Sequence, residues 1–312
     1  SDVCSSDLYD FLEECLGIGP IAGEKPPHER FPGAVATFTL EPMMQDGRAL
    51  QTGTSHDLGE TFGRAFDVTY QGEDGQSHPV FATSWGMSTR TIGGLLMVHG
   101  DDKGAIFPPT VAPTQVAIVP VPGRDDASTR AVEEAAADLQ RDLSRAGIRV
   151  TIDDRPGLRP GAKYFHWERR GAPLRLEIGP RDVASGQAMA ARRDTGEKAP
   201  IPLSGAAAAV QSLLDTIQLH LRARAHANRE ARTFTVDTSE GITETVLKGY
   251  AFTRWCEDRE CAADMQAQSR GTIRCFPFEK HGDEFRPIPE DHGPCGWCGK
   301  PATRRVLVGR SY

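Results

Sequence analysis

No apolar run reaches the roughly 18 residues that a membrane-spanning helix needs. The longest, around Ile92 to Val98, is broken by glycines and has core length. The opening residues, Ser1-Asp2-Val3-Cys4, show neither a basic leader nor an apolar middle, so no secretory signal is read there. Aromatic residues are scarce at 7%, and no internal repeat is found. A disulfide framework is also missing. The seven cysteines are odd in number, and five of them, at 256, 261, 275, 295 and 298, crowd into one region. These absences exclude the membrane and disulfide-scaffold classes. They lead to the expectation of a soluble protein in a reducing, cytoplasmic compartment.

What is present suits a globular chain. There are 312 residues, 38% hydrophobic and 25% charged, enough for two or three domains. The net charge of −7 argues weakly against a nucleic-acid partner. Its distribution matters more than its sum. Between Arg141 and Arg193 there are twelve Lys or Arg against six Asp or Glu. Such a stretch can be a solvated surface or an RNA-facing one.

Apolar spacing predicts the elements. Leu8, Phe11, Leu12 and Leu16 mark a helix over residues 8–17, and Ala34 to Leu40 alternates as a strand. Residues 57–65 read as a short helix. Phe66 to Tyr70 and Val80 to Thr83 read as a hairpin around the Gly-Glu-Asp-Gly turn at 72–75. Arg90 to His99 is a helix, and Pro108, Pro109 and Pro113 mark a boundary. Strands at Gln115 to Val121, Arg149 to Ile152 and Leu174 to Ile178 alternate with an amphipathic helix, Ser128 to Ala146, for which Ser128 is the candidate cap. That order predicts a small α/β domain. Gly205 to Glu230 is a long helix, and Arg304 to Val308 a late strand.

Two features carry chemistry. Cys256 and Cys261 form one close pair, and Cys295-Gly296-Trp297-Cys298 a second. Two such pairs can place four thiolates at the corners of a tetrahedron, which is how structural zinc is held; the alternative is four unrelated thiols. Four thiolates leave no open coordination position, so the expected ion is structural. Cys275 sits in an apolar strand-like setting and is expected in the core.

The second feature is the pair of segments Gln51-Thr52-Gly53-Thr54-Ser55-His56 and Thr83-Ser84-Trp85-Gly86-Met87-Ser88-Thr89-Arg90. The first is expected in a glycine-containing turn between strand and helix, where small-molecule sites are often built. Taken singly, His56 reads more readily as a satisfied surface histidine than as a ligand, Trp85 as a core residue and Arg90 as a partner for a carboxylate.

Their order and spacing, followed by His99-Gly100-Asp101-Asp102-Lys103-Gly104 and Pro108-Pro109, resemble prolyl-tRNA synthetases of the archaeal and eukaryotic type. The resemblance continues through Gly161-Ala162-Lys163-Tyr164-Phe165-His166-Trp167-Glu168, Glu177-Ile178-Gly179-Pro180-Arg181-Asp182, Arg192-Arg193-Asp194-Thr195-Gly196-Glu197-Lys198 and the ending Gly309-Arg310-Ser311-Tyr312. It implies an α/β and α+β multidomain fold. Residues 1–111 would be a partial class II catalytic domain built on an antiparallel sheet. Residues 112–203 would be an α/β anticodon-binding domain, and 204–312 a helical link with a C-terminal zinc-binding α+β domain.

The implied activity is proline–tRNA ligation, with L-proline, ATP with Mg2+, and tRNA-Pro as partners and no membrane. By the resemblance, Gln51, Thr54, Ser88 and Arg90 contact ATP, with Gln51 also on the magnesium side. His56, Ser84, Trp85 and Gly86 line the proline site, and no side chain acts as general acid or base. Lys163, Arg175, Arg181, Arg192 and Arg193 are candidates for tRNA contact, and Tyr164, Phe165 or Trp167 for stacking on a base. Cys256, Cys261, Cys295 and Cys298 hold the structural zinc. Class II motifs 1 and 2, which build the family's dimer interface and bind the α-phosphate, are not found. The chain therefore reads as an N-terminally truncated product of an enzyme expected to be a homodimer. The alternative is a non-catalytic, zinc-stabilised tRNA-binding module.

Overall fold

The computed structural model describes residues 2–282 and 284–312, with side chains from Ser6 onward. The chain forms two compact units, both discontinuous in sequence. One comprises residues 1–14, 18–98 and 225–312, and the other residues 15–17 and 99–224.

The first unit opens with helix α1 (Asp2–Asp10) and a π-helical turn, Phe11–Cys15. Strands β1 (Ile21–Glu24), β2 (Ala36–Glu41) and β3 (Gly53–Gly59) follow. Next come α2 (Thr61–Ala65), β4 (Thr69–Gln71), β5 (Ser77–Pro79), β6 (Ala82–Met87) and α3 (Arg90–His99). The second unit contains β7 (Val116–Pro120), α4 (Asp126–Arg145), β8 (Val150–Ile152), α5 (Pro160–Arg169), β9 (Leu174–Ile178), α6 (Pro180–Ala184), β10 (Gln187–Arg192), β11 (Lys198–Pro202) and most of α7 (Ala206–Ala231). The chain then returns to the first unit with β12 (Thr233–Thr235), α8 (Ser239–Thr245), β13 (Tyr250–Trp255), α9 (Arg259–Ser269), β14 (Thr272–His281), β15 (Glu284–Pro287), β16 (Gly293–Pro294), β17 (Pro301–Ala302) and β18 (Arg304–Gly309).

One nine-stranded sheet runs through the first unit in the order β12-β13-β18-β14-β1-β2-β3-β6, with β15 beside β14. The pairing of β1 with β14, Gly23 opposite Pro277, joins early strands to the cysteine-bearing region. Such a contact leaves no local signal in the sequence. Gly23 is required at this join, since an added Cβ would lie 2.4 Å from the Phe276 carbonyl oxygen. The second unit carries a five-stranded sheet, β11-β10-β9-β7-β8, in which β7 runs parallel to both its neighbours. Its core packs Val132, Ala136, Leu139 and Leu143 of α4 with Val210, Leu214, Ile217 and Leu221 of α7 around the sheet. The mixed α/β and α+β class is thus the observed one.

Several local expectations shift. Residues 53–59 form a strand rather than a turn, because β2 and β6 pair with them on both sides. The hairpin at 72–75 exists, but its strands are β4 and β5. Residues 82–87 belong instead to the large sheet. The helix read over 8–17 ends in the π turn, where the Ile18 N–H reaches the Leu12 carbonyl. Asp125, not Ser128, caps α4: its carboxylate accepts the Ser128 N–H at 2.8 Å. Ser128 occupies the third helical position of the capping box.

Candidate functional sites

Strand register builds the first site. Thr54 lies opposite Gly86 and His56 opposite Ser84 across β3 and β6. Side chains two apart on a strand share a face, so these four positions face the same way. Gln51, Thr54, His56, Ser84, Trp85, Gly86, Ser88 and Arg90 all line one open concavity. The Ser88 Oγ accepts the Arg90 N–H at 3.3 Å at the head of α3, and the Arg90 guanidinium donates to the Gln51 carbonyl at 3.5 Å. A helix N-terminus with an exposed arginine at its first position favours phosphate. Trp85, between Ser84 and Gly86 on β6, is 52% exposed and so is not a core residue.

His56 is braced from behind. Thr37 on β2 reaches its Nδ1 at 3.0 Å, and the Phe31 ring packs with a centroid separation of 4.9 Å. Burial lowers the His56 pKa, favouring the neutral ring. Neither Thr37 nor Phe31 was legible as a site residue, since both come from a separate strand and its leading loop.

The five basic candidates of the second unit differ in kind. Lys163 is buried and donates to the Asp153 carbonyl at 2.8 Å. Arg193 is buried, with both terminal nitrogens on the Asp101 carboxylate at 2.8 and 2.6 Å. Those hydrogen bonds bring Asp101 down to about 2. Arg175 is buried between Glu177 and Glu168, with the Tyr164 ring 4.3 Å from its guanidinium carbon. Arg192 is held by Asp194, which also contacts His220. Arg181 is exposed, and its guanidinium has no partner among the described residues. Lys163 and Arg193 are therefore internal scaffolding, because buried cations need fixed partners. Arg175, Arg192 and Arg193 do converge with Trp167, Lys103 and Lys198 around one polar pocket. Lys198, which sequence reading passed over, ion-pairs with Glu177 at 2.8 Å at its rim. Phe165 is exposed, whereas the Trp167 indole N–H is committed to Asp153 at 2.9 Å.

The cysteines form the third site. Cys256 follows β13, Cys261 lies in α9, and Cys295 and Cys298 lie in the turn between β16 and β17. Their four sulfurs lie within 4.8 Å of one another. A tetrahedron with bonds of about 2.3 Å has edges near ~3.8 Å. The Cys261–Cys295 sulfurs are 3.8 Å apart and the Cys256–Cys298 sulfurs 3.5 Å. The set thus fits a metal ion. Burial pushes the Cys256 thiol up to about 11 and Cys261 higher still, a penalty that a bound cation reverses. Gly299, at φ +74°, turns the knuckle so that its N–H reaches the Cys295 carbonyl. Cys275 is fully buried in β14, away from this cluster.

Among the described residues, no helix is long and apolar enough to cross a membrane. Residues 115–213 match the family model described as anticodon binding domain, and residues 240–312 that described as prolyl-tRNA synthetase, C-terminal. The chain is 42% identical over 306 residues to a proline–tRNA ligase of Acetoanaerobium sticklandii, spanning 97% of this chain and 61% of that protein. It is 44% identical over 311 residues to proline–tRNA ligase 2 of Rhodococcus jostii, spanning 98% and 62%. A crystal structure of prolyl-tRNA synthetase from Cryptosporidium parvum, complexed with L-proline and AMP, superposes with a TM-score of 0.89 at 34% identity, over 99% of this chain and 65% of that one. The chain thus spans about three fifths of the length of the curated relatives it matches. Residues 115–213 thus resemble an anticodon-binding domain and residues 240–312 a prolyl-tRNA synthetase C-terminal domain, and nearly the whole chain is similar to part of the proline–tRNA ligases.

Proposed function

We propose that this chain serves proline–tRNA ligation: ATP-dependent conversion of L-proline to prolyl-adenylate, then transfer of the prolyl group to the 3′ end of tRNA-Pro. The observation that carries the reading is the one concavity lined by Gln51, Thr54, His56, Ser84, Trp85, Gly86, Ser88 and Arg90, in which the β3–β6 register sets Thr54, His56, Ser84 and Gly86 on one face. Proline carboxylate attacks the α-phosphorus of ATP and pyrophosphate leaves. A terminal hydroxyl of the tRNA then attacks the acyl carbon and AMP leaves. The first nucleophile is already an anion, so alignment and charge neutralisation suffice without a side-chain base. Gln51, Thr54, Ser88 and Arg90 hold ATP, with Gln51 on the side of its Mg2+. His56, Ser84, Trp85 and Gly86 enclose proline.

Cys256, Cys261, Cys295 and Cys298 would hold zinc, which supplies a structural cross-link and leaves no position for chemistry. For tRNA we favour Arg181 and the pocket around Arg175, Arg192 and Lys198, with Phe165 as the stacking surface. A cytoplasmic homodimer is the expected form of the enzyme.

Amino-acid-dependent ATP–pyrophosphate exchange tests the proposal, measured on the gene product at the length of the curated relatives. Exchange driven by proline, and not by threonine, glycine or histidine, is the expected result. Exchange driven by another amino acid refutes it. Absence of exchange with retained tRNA binding would support a zinc-stabilised binding module instead.

A further inference from the structure

The hydrogen-bond inventory around Thr37 fixes more than the position of a neighbouring ring. Thr37 is buried on β2. Its Oγ1 accepts the Phe31 backbone N–H at 3.0 Å. A threonine hydroxyl carries one proton to donate. Among the described residues, the other polar contact of Oγ1 is the His56 Nδ1, at 3.0 Å. The hydroxyl proton therefore points at Nδ1, which must accept it. A neutral imidazole whose Nδ1 accepts carries its own proton on Nε2. An imidazolium would place a second proton in the Thr37–Nδ1 line and leave the hydroxyl proton without an acceptor. Burial of the ring acts in the same direction, against the charged form. The Phe31 ring and the direct pairing of Thr37 with His56 across β2 and β3 hold the plane of the imidazole. The Nε2 atom has no partner among the described residues, and His56 lines the concavity.

We infer that Thr37 is a positioning residue that fixes His56 as the Nε2–H tautomer, so that His56 offers the bound ligand a hydrogen-bond donor and no acceptor. This rests on the reading of the concavity as an amino-acid site and specifies one of its contacts. The matching ligand atom is an acceptor oxygen, either the amino-acid carboxylate or the acyl oxygen that replaces it in an adenylate. The ring nitrogen of proline, a donor when protonated, must then face elsewhere. A histidine held the other way would accept from that nitrogen and repel the carboxylate.

The test is nitrogen-15 NMR of histidine-labelled 312-residue chain, with His56 assigned through His56→Gln. The expected spectrum shows His56 Nδ1 unprotonated and Nε2 protonated in the free chain. Thr37→Val keeps the side-chain shape and removes the donor, so the Nδ1 signal should move toward the protonated position. Thr37→Ser restores the hydroxyl and should restore the parent signal. Added L-proline should shift Nε2, and its affinity should fall about tenfold in Thr37→Val and recover in Thr37→Ser. A protonated Nδ1 in the parent chain overturns the inference, as does a tautomer unchanged in Thr37→Val. Should Thr37→Val fail to fold, the parent spectrum alone decides. A tautomer as stated, with proline that neither binds nor moves Nε2, refutes the amino-acid site and leaves the role of Thr37 standing.

Discussion

Glu41 on β2 and Arg274 on β14, 233 residues apart, are joined twice: the Glu41 Oε2 accepts from the Arg274 Nε at 3.0 Å and from its Nη2 at 2.8 Å. The other oxygen, Oε1, takes Lys25 at 3.1 Å and the Thr39 hydroxyl at 2.9 Å. All three charged groups are buried. This triad locks together the strands that carry the Gln51–Arg90 concavity and those that lead to the cysteines.

Removing the shared anion should therefore be costly. Glu41→Ala leaves two buried cations without a counter-charge, and a loss of about 3–5 kcal/mol is expected. Urea unfolding measures it. A loss below about 1 kcal/mol would mean that water reaches the site.

The pH dependence should carry the signature of His99. Its Nε2 donates to the Leu16 carbonyl at 2.8 Å, and burial pushes its pKa down to about 4. The unfolded chain takes up this proton near pH ~6.5, while the folded chain refuses it until about 4. Stability from this group is thus full above pH ~6.5 and is lost as the pH falls toward 4, by roughly 3 kcal/mol. Urea midpoints at pH 7 and 4.5 should differ accordingly, and less so in His99→Gln.

Much of this was legible in the sequence, for identifiable reasons. The bounds of α3 were read from its apolar spacing and the glycine after His99. The cysteine cluster was read because Cys-x-x-Cys fixes geometry locally. Residues 53–59 were not read as a strand, because Thr54, Ser55 and His56 are mostly polar and both partner strands lie elsewhere. The burial of Arg193 was invisible because its carboxylate partner, Asp101, lies 92 positions away. Charge counting alone cannot separate such an internal cation from a solvent-facing one such as Arg181.

The same distinction predicts two different variants. Arg181→Ala should weaken RNA binding and reduce the salt slope by about one, with unfolding unchanged. Arg193→Ala should lower stability by about 1–3 kcal/mol through lost hydrogen bonds to Asp101, Glu168 and Gly104. Filter binding across salt concentrations, paired with urea titration, separates the two.

Metal content should follow the cysteines. One zinc ion per chain is expected on protein purified without chelator. Cys298→Ser should lose most of it, since its sulfur is one of the four corners. Chelation should then loosen the core around Trp255, Met265 and Val306, seen as a lower thermal midpoint. Cys275→Ser should keep the metal.

The most direct test of the account is anticodon discrimination by the 312-residue chain, because the matched anticodon-binding domain lies wholly within it. Binding of a tRNA-Pro transcript is compared with the same transcript carrying a substituted anticodon, at fixed salt. The account predicts at least about tenfold tighter binding to the proline anticodon, lost when Arg181 and Lys198 are both replaced by alanine. Equal affinity for the two transcripts would contradict it.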